Sequence, residues 1–420
     1  MVGVGPFLTI PLIISSMGGP QCMLGWVLGA VLAICDGLVW SELAAAIPGT
    51  GGTYLYLRES LRRTRLAGIV PFLFLWQFVV SGPLEIASGN IGFARYVAYF
   101  WRGMGAWPTR LVAMGAGVLA VALLYRPIKQ VGRLTIALWI GMLATVAWII
   151  AAGLANFNPH QAFDFPPGAF QFSRGFAGGL GSAMLIAMYD LMGYYDVCFV
   201  GDEVRNASRT IPRSILYSIA MVTVIYLFMN VGILAVVPWR EAMRSQYIAA
   251  TFIEKLYGTR AASAVTILVL WTAFASVFAL LFGYSRILYA AAANGQFFRV
   301  FARVHPRGRF PHVALLVLGG LSVVGSLWSL DAVISTLLTS RIVVQFLGQI
   351  CALHYVRRCR PDIARPFRMA WYPLPSVIAF AGWSYIFAAS EWKYQLFGVA
   401  TLLVGAGVYW RWKAGAAGES

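Results

Sequence analysis

The chain has 420 residues, 60% of them hydrophobic and 11% charged, with a mean hydropathy of +0.74. That balance excludes an ordinary soluble domain and points to an all-α polytopic membrane protein whose solvent is the lipid bilayer. A net charge of +17 would suit nucleic acid if it formed one face or tail, but the basic residues are scattered over short loops. No nucleic-acid partner is expected, and a positive-inside topology accounts for the charge.

Residues 1–14 (MVGVGPFLTIPLII) are apolar but fall short of the roughly 20 helical residues needed to cross a hydrocarbon core of ~30 Å. Gly3, Gly5 and Pro6 disfavour a continuous helix there, which leaves two readings. One is a frayed terminus; the other is an unwound first segment, truncated at its start, whose leading half-helix lies upstream. Segment two covers 21–46, with Asp36 inside it and Glu42 near its end. The turn-rich PGTGGTYLYL then leads into Arg58, Arg62, Arg63 and Arg65, which mark a cytoplasmic loop. In segment three (67–100), Ser81, Gly82, Glu85, Ser88, Gly89 and Gly92 recur at spacings of three and four. One face is therefore small and polar with a carboxylate at its centre, and it must point into the bundle. Segments four (110–125) and five (131–155) flank a basic turn with Arg126, Lys129 and Arg133, and an external loop follows at 156–174.

Segment six (176–200) carries Asp190, Gly193, Tyr194, Tyr195 and Asp196 within an apolar run. Carboxylates are costly in a membrane interior and mark a site by default. On a continuous helix, positions 190 and 196 would face different ways. An interruption near Gly193 lets both acids, the freed backbone groups and the Tyr hydroxyls approach one cavity. Pairing with an Arg or capping of a half-helix is the other reading of each acid. After Arg205, Arg209 and Arg213 come segment seven (214–237), an amphipathic piece (238–258) and segment eight (260–293), in which Thr272 and Ser276 are further polar candidates. A basic connector (294–311) leads to segments nine (313–329) and ten (332–356), joined by a hairpin at Leu330 and Asp331, with Arg341 inside segment ten. Segments eleven (373–389) and twelve (394–412) close the chain. With the first segment starting inside, most of the 32 Lys and Arg fall in cytoplasmic connections, so both termini are expected in the cytoplasm.

The five Cys form no CxxC and the four His are scattered, so neither a disulfide framework, a metal site nor a cofactor is expected. No grouped nucleophile and base argues for an enzyme. No GxxxxGK[ST] sequence occurs, which leaves ion gradients or exchange as the driving force.

Four motifs in order carry a resemblance: GVGPF, Glu42 followed by PGTGGTYLYL, GYYDVCFVGDEVRNASRTIPRSI, and YSRILYAAAANGQFFRVFARVH. The chain resembles the amino acid-polyamine-organocation transporter superfamily, closest to its amino acid permeases, over essentially its whole length. The resemblance implies the leucine-transporter fold of about twelve transmembrane helices. Segments one to five (1–155) and six to ten (176–356) would form a 5+5 inverted repeat with helices one and six broken, and 373–412 would add two peripheral helices. It also implies a secondary active transporter in the cytoplasmic membrane. Gly3, Val4 and Gly5 would hold a substrate carboxylate through backbone N–H groups, and carbonyls near Gly193, Tyr194 and Tyr195 would take the amine, with the two Tyr as gating candidates. Pro6 departs from the pattern because it has no N–H. An amino acid is the first choice of substrate and a polyamine or other organic cation the alternative; a transporter-derived sensor is a third reading. By analogy Glu85 is the proton-coupling candidate, with H+ preferred to Na+, and a neutral acid bonded between helices is its other reading. The motif after helix two is expected to form a short intracellular helix pair.

Overall fold

The computed structural model describes residues 2–101, 103–126 and 128–418, and every regular element among them is helical. In chain order these are α1 (Gly5–Met17), α2 (Met23–Ala46), α3 (Thr53–Leu61), α4 (Ile69–Phe100), α5 (Ala106–Leu124) and α6 (Ile128–Ala155). The short α7 (Pro159–Ala162) precedes α8 (Arg174–Leu191) and α9 (Ala207–Leu234). The short α10 (Trp239–Ala242) precedes α11 (Ile248–Ala293), α12 (His312–Gly325), α13 (Leu330–Arg341), α14 (Gly348–Cys359), α15 (Leu374–Ala389) and α16 (Trp392–Gly418). Among the described residues, six stretches are long and apolar enough to cross a membrane: Pro20–Ala46, Ile69–Phe100, Ala106–Leu124, Ala207–Leu234, Ile248–Ala293 and Leu330–Cys359. Shorter apolar helices accompany them, α1, α12 and α15 included.

Several boundaries correct the sequence reading, each for a physical reason. Helix α1 is continuous from Gly5, so the non-helical backbone is confined to the residues before it. Pro6 sits in the first turn, where donors lack intrahelical partners in any case. Pro11 cannot donate to the Phe7 carbonyl, and the Tyr96 hydroxyl takes that place at 3.0 Å. Segment six stops at Leu191 instead of running to position 200, and a tight 3₁₀ stretch, Asp196–Glu203, follows. The amphipathic piece before segment eight becomes α10 and the first turns of α11, across a kink at Gly258 with φ +79°. Segment ten contains a π-helical turn, Ile342–Leu347, between α13 and α14. The motif after α2 forms one helix, α3, where a pair was expected.

Packing holds the cavity-forming helices in place. Helix α2 lies between α8, α9 and α15, and small residues let it approach α8 closely. A Cβ on Gly25 would come within 2.5 Å of the Ala183 methyl. Helix α4 packs against α5, α11, α12 and α13, which places its small polar face inside the bundle as expected.

At one end of the bundle, two turns are tied together. The Thr50 amide donates to Asp202 Oδ2 at 3.0 Å, and the Asp202 amide donates to Thr50 Oγ1 at 3.2 Å. Asp202 thus turns to the PGTGG motif and forms no ion pair with Arg205, Arg209 or Arg213 among the described residues. Buried Glu42 is ion-paired with Arg357, whose Nε donates at 2.7 Å, and it also accepts from the Met369 amide at 2.8 Å. The Arg286 guanidinium lies 3.7 Å from the centre of the Phe282 ring. The side chains of Lys129, Arg133 and Glu203 lie outside the described residues.

Candidate functional site

Two helix ends meet on one cavity of about 340 Å³. The first is the amino end of α1. Ahead of it, the Gly3 amide donates to the Tyr226 hydroxyl at 3.3 Å and the Val4 amide donates to Ser276 Oγ at 3.2 Å. Unpaired first-turn amides and the helix dipole make such an end attractive to anions and hydroxyl oxygens. The second is the carboxyl end of α8. Met192 leaves helical geometry at ψ 159°, and Gly193 takes φ +96°, a conformation that side-chain-bearing residues rarely adopt. The chain then re-forms as a 3₁₀ turn, in which the Asp196 amide donates to the Gly193 carbonyl at 3.1 Å.

The cavity gathers most of the candidates read from sequence. Gly3, Val4, Gly5, Glu85, Asp190, Gly193, Asp196 and Ser276 all line it. Asp190 is buried; its Oδ2 accepts from Thr9 Oγ1 at 2.5 Å, while its Oδ1 has no hydrogen-bond partner among the described residues. That free oxygen packs against Gly5, where an added Cβ would lie only 2.2 Å away. Asp196 Oδ1 likewise has no hydrogen-bond partner among the described residues. Two carboxylate oxygens without donors in one cavity create a demand for a donor or a cation.

Glu85 meets a cation. Arg341 Nη1 lies 2.7 Å from its Oε2, and the Tyr284 hydroxyl donates to the same oxygen at 2.7 Å. Arg341 Nε also donates to Ser81 Oγ at 3.0 Å, and Nη1 reaches the Tyr195 hydroxyl at 3.4 Å. Neither reading of Glu85 from sequence included this pair.

Three candidates do not line the cavity. The Tyr194 hydroxyl donates to Asp36 Oδ2 at 2.6 Å, and Tyr195 stacks on Trp40 with ring centres 4.5 Å apart. Thr272 Oγ1 donates to the Leu268 carbonyl at 2.9 Å, one turn from Ser276. In their place stand residues that sequence reasoning missed. Tyr189 lines the wall with its hydroxyl 2.6 Å from Ser88 Oγ; the Tyr226 hydroxyl accepts from the Gly3 amide ahead of α1; Tyr284 holds Glu85. Tyr189 is adjacent to Asp190, and its place one residue before the acid was the available signal.

The family described as amino acid permease matches residues 1–407. The chain is similar to the human cystine/glutamate transporter, 27% identical over 389 residues, covering 90% of this chain and 75% of that protein. It is also similar to the human Asc-type amino acid transporter 1, 28% identical over 404 residues (92% and 75%). A bacterial relative is the branched-chain amino acid permease BcaP of Bacillus subtilis, 22% identical over 409 residues (93% and 85%). The helical, multi-pass architecture and this match agree: the chain belongs to the amino acid permease family of the amino acid-polyamine-organocation superfamily.

Proposed function

We propose that the chain is a secondary active transporter that moves an amino acid across the cell membrane by alternating access. The observation that carries this reading is the meeting of the amino end of α1 and the carboxyl end of α8 on one cavity. An amino acid has two opposite charges close together, and two opposed helix ends offer complementary partial charges. In this reading Gly3, Val4 and Gly5 exchange their Tyr226 and Ser276 contacts for the substrate carboxylate, while Asp190, Asp196 and the carbonyls near Gly193 receive the amine. The relatives named for cystine and glutamate or for branched-chain amino acids support an amino acid as cargo.

The same reading takes residues 1–155 and 176–356 as two inverted five-helix repeats and 373–412 as two peripheral helices, with about twelve spans and both termini in the cytoplasm. Tyr194 and Tyr195 act behind the break, steering it through Asp36 and Trp40, and Thr272 supports Ser276. Proton coupling or exchange drives transport. Glu85 is the coupling candidate inside the cavity, and releasing or binding its proton requires loosening Arg341.

Counterflow in proteoliposomes tests the proposal. Preloaded unlabelled amino acid should drive saturable accumulation of labelled amino acid, and leakage without saturation would argue for a channel instead. A second reading, a polyamine or other organic cation as cargo, is favoured by the two partnerless carboxylate oxygens and by Pro6. Competition by neutral L-amino acids but not putrescine supports the first reading; the reverse supports the second.

A further inference from the structure

We propose that Asp36 of α2 binds a proton in this conformation and couples proton movement to the break after Leu191 through the Tyr194 hydroxyl. The coupling rests on the transport reading above. Asp36 is 1% exposed and lies outside the cavity lining. Its oxygens have two different neutral partners. The Tyr194 hydroxyl donates to Oδ2 at 2.6 Å, and Trp383 Nε1 of α15 donates to Oδ1 at 3.2 Å. Asp36 takes part in none of the ion pairs among the described residues. A full negative charge held by two neutral donors in an apolar bundle is disfavoured, and the neutral acid is the stable form there.

The partners dictate where the proton sits. An indole N–H only donates, so Oδ1 must remain an acceptor in either state. A phenol hydroxyl can donate to a carboxylate or accept from an acid. The proton is therefore added at Oδ2, facing Tyr194.

The surroundings leave few competing charges. On α2 itself the neighbouring titratable group is buried Cys35. From the break come Tyr194, Tyr195 and Cys198, all buried, with Tyr195 edge-on to Tyr194 at 5.0 Å. Helix α15 presents Trp383, stacked on Phe346 at 3.8 Å. Helix α9 brings Ile215 and Ile219 against Gly37, and α8 brings Ala183 and Ala187 against Gly25 and Gly29. Helix α14 supplies Arg357, but it pairs with Glu42, six residues and roughly 9 Å further along α2. Arg341 reaches Tyr195 but is paired with Glu85. The cations of this region are thus matched to other acids.

Tyr194 follows Gly193 directly, so any movement of the break carries its hydroxyl away from Asp36. Asp36 then loses the one partner able to exchange roles, and its proton leaves to whatever water the movement admits. Proton occupancy and the conformation of the break become one equilibrium.

The test uses the full chain in liposomes. Infrared spectroscopy at neutral pH should detect a protonated carboxylic acid band that Asp36→Asn removes, and a spectrum unchanged by the substitution overturns the proposal. Asn keeps an acceptor for Trp383 and a partner for Tyr194. Counterflow by Asp36→Asn should therefore stay within about three-fold of the unsubstituted protein, while the pH dependence of net uptake falls by at least about two-fold, Glu85 remaining in place. An unaltered pH profile overturns the coupling. Tyr194→Phe should change the pH at which the acid band disappears, and an identical titration overturns the role of the hydroxyl. If the unsubstituted protein moves no amino acid, the transport reading and the coupling fall together, while the infrared band still decides whether Asp36 holds a proton.

Discussion

Arg341 Nη1 lies 2.7 Å from Glu85 Oε2, with the two side chains 1% and 11% exposed. Opposite charges so little hydrated hold each other in place, and removal of one strands the other. Arg341→Met or Glu85→Gln alone is expected to cost about 3–5 kcal/mol, and the double variant should recover much of that loss. Thermal melts in detergent read the difference. Additive losses in the double variant would mean that the pair is not the stabilising unit.

Asp190 Oδ1 and Asp196 Oδ1, which accept no hydrogen bond among the described residues, should set the charge preference of the cavity. A hydrogen bond to a charged group contributes about 1.5–3 kcal/mol, equivalent to roughly 10- to 100-fold in affinity. Asp190→Asn and Asp196→Asn should each weaken competition by a cationic substrate by about that factor. Competition by a neutral amino acid should fall less. Equal loss for both classes of competitor would assign the acids to architecture.

Much of this arrangement could be read from residue order, and the reason differs from one element to the next. The break near Gly193 was legible because a glycine between two acids in an apolar run has few other physical explanations. The pair of Glu85 and Arg341 was not, since the partners lie on α4 and α13 and nothing in the spacing of either helix indicates the other. Tyr194 and Tyr195 follow the break directly, but Tyr194 meets Asp36 and Tyr195 stacks on Trp40 instead of lining the cavity. After a helix ends, the direction of the next side chains depends on backbone angles such as the φ of +96° at Gly193, which composition does not specify. Helix α1 ran against its own Gly and Pro content because Tyr96 on α4 supplies the bond that Pro11 cannot make.

The segment after α14 is tied down by Arg360. Its Nε donates to Asp362 Oδ1 at 3.0 Å and its Nη1 donates to the Glu59 carbonyl at 2.9 Å, with Arg63 3.6 Å from Asp362. The hydrogen bonds from Arg360 hold the Asp362 carboxyl below its ordinary range. A depressed carboxyl contributes stability above its unfolded value, near 3.9, and loses that contribution as pH falls through the folded value. Asp362 is solvent-exposed, so the effect is small and screened by salt. Melts of Asp362→Asn should fall slightly below those of the unsubstituted protein near pH 7 and converge with them as pH falls through the folded value. A gap that widens in acid would reverse the sign and refute the assignment.

Gly5 and Gly283 both line the cavity, yet they should respond oppositely to the same methyl group. A Cβ on Gly5 would sit 2.2 Å from Asp190 Oδ1, and Asp190 is held from its other side by Thr9 at 2.5 Å, so the carboxylate has little room to give way. Gly283 on α11 has nothing within 4 Å of an added Cβ, and Ala is a better helix former than Gly by about 0.8–1.0 kcal/mol. Gly5→Ala should therefore lower transport by more than about ten-fold, because it displaces an acid at the meeting point of the two helix ends. Gly283→Ala should fold at least as stably as the unsubstituted protein and change only the size of substrate accepted. Uptake rates and melting temperatures measured on both variants separate the effects. Full transport by Gly5→Ala would mean that cargo does not approach the amino end of α1.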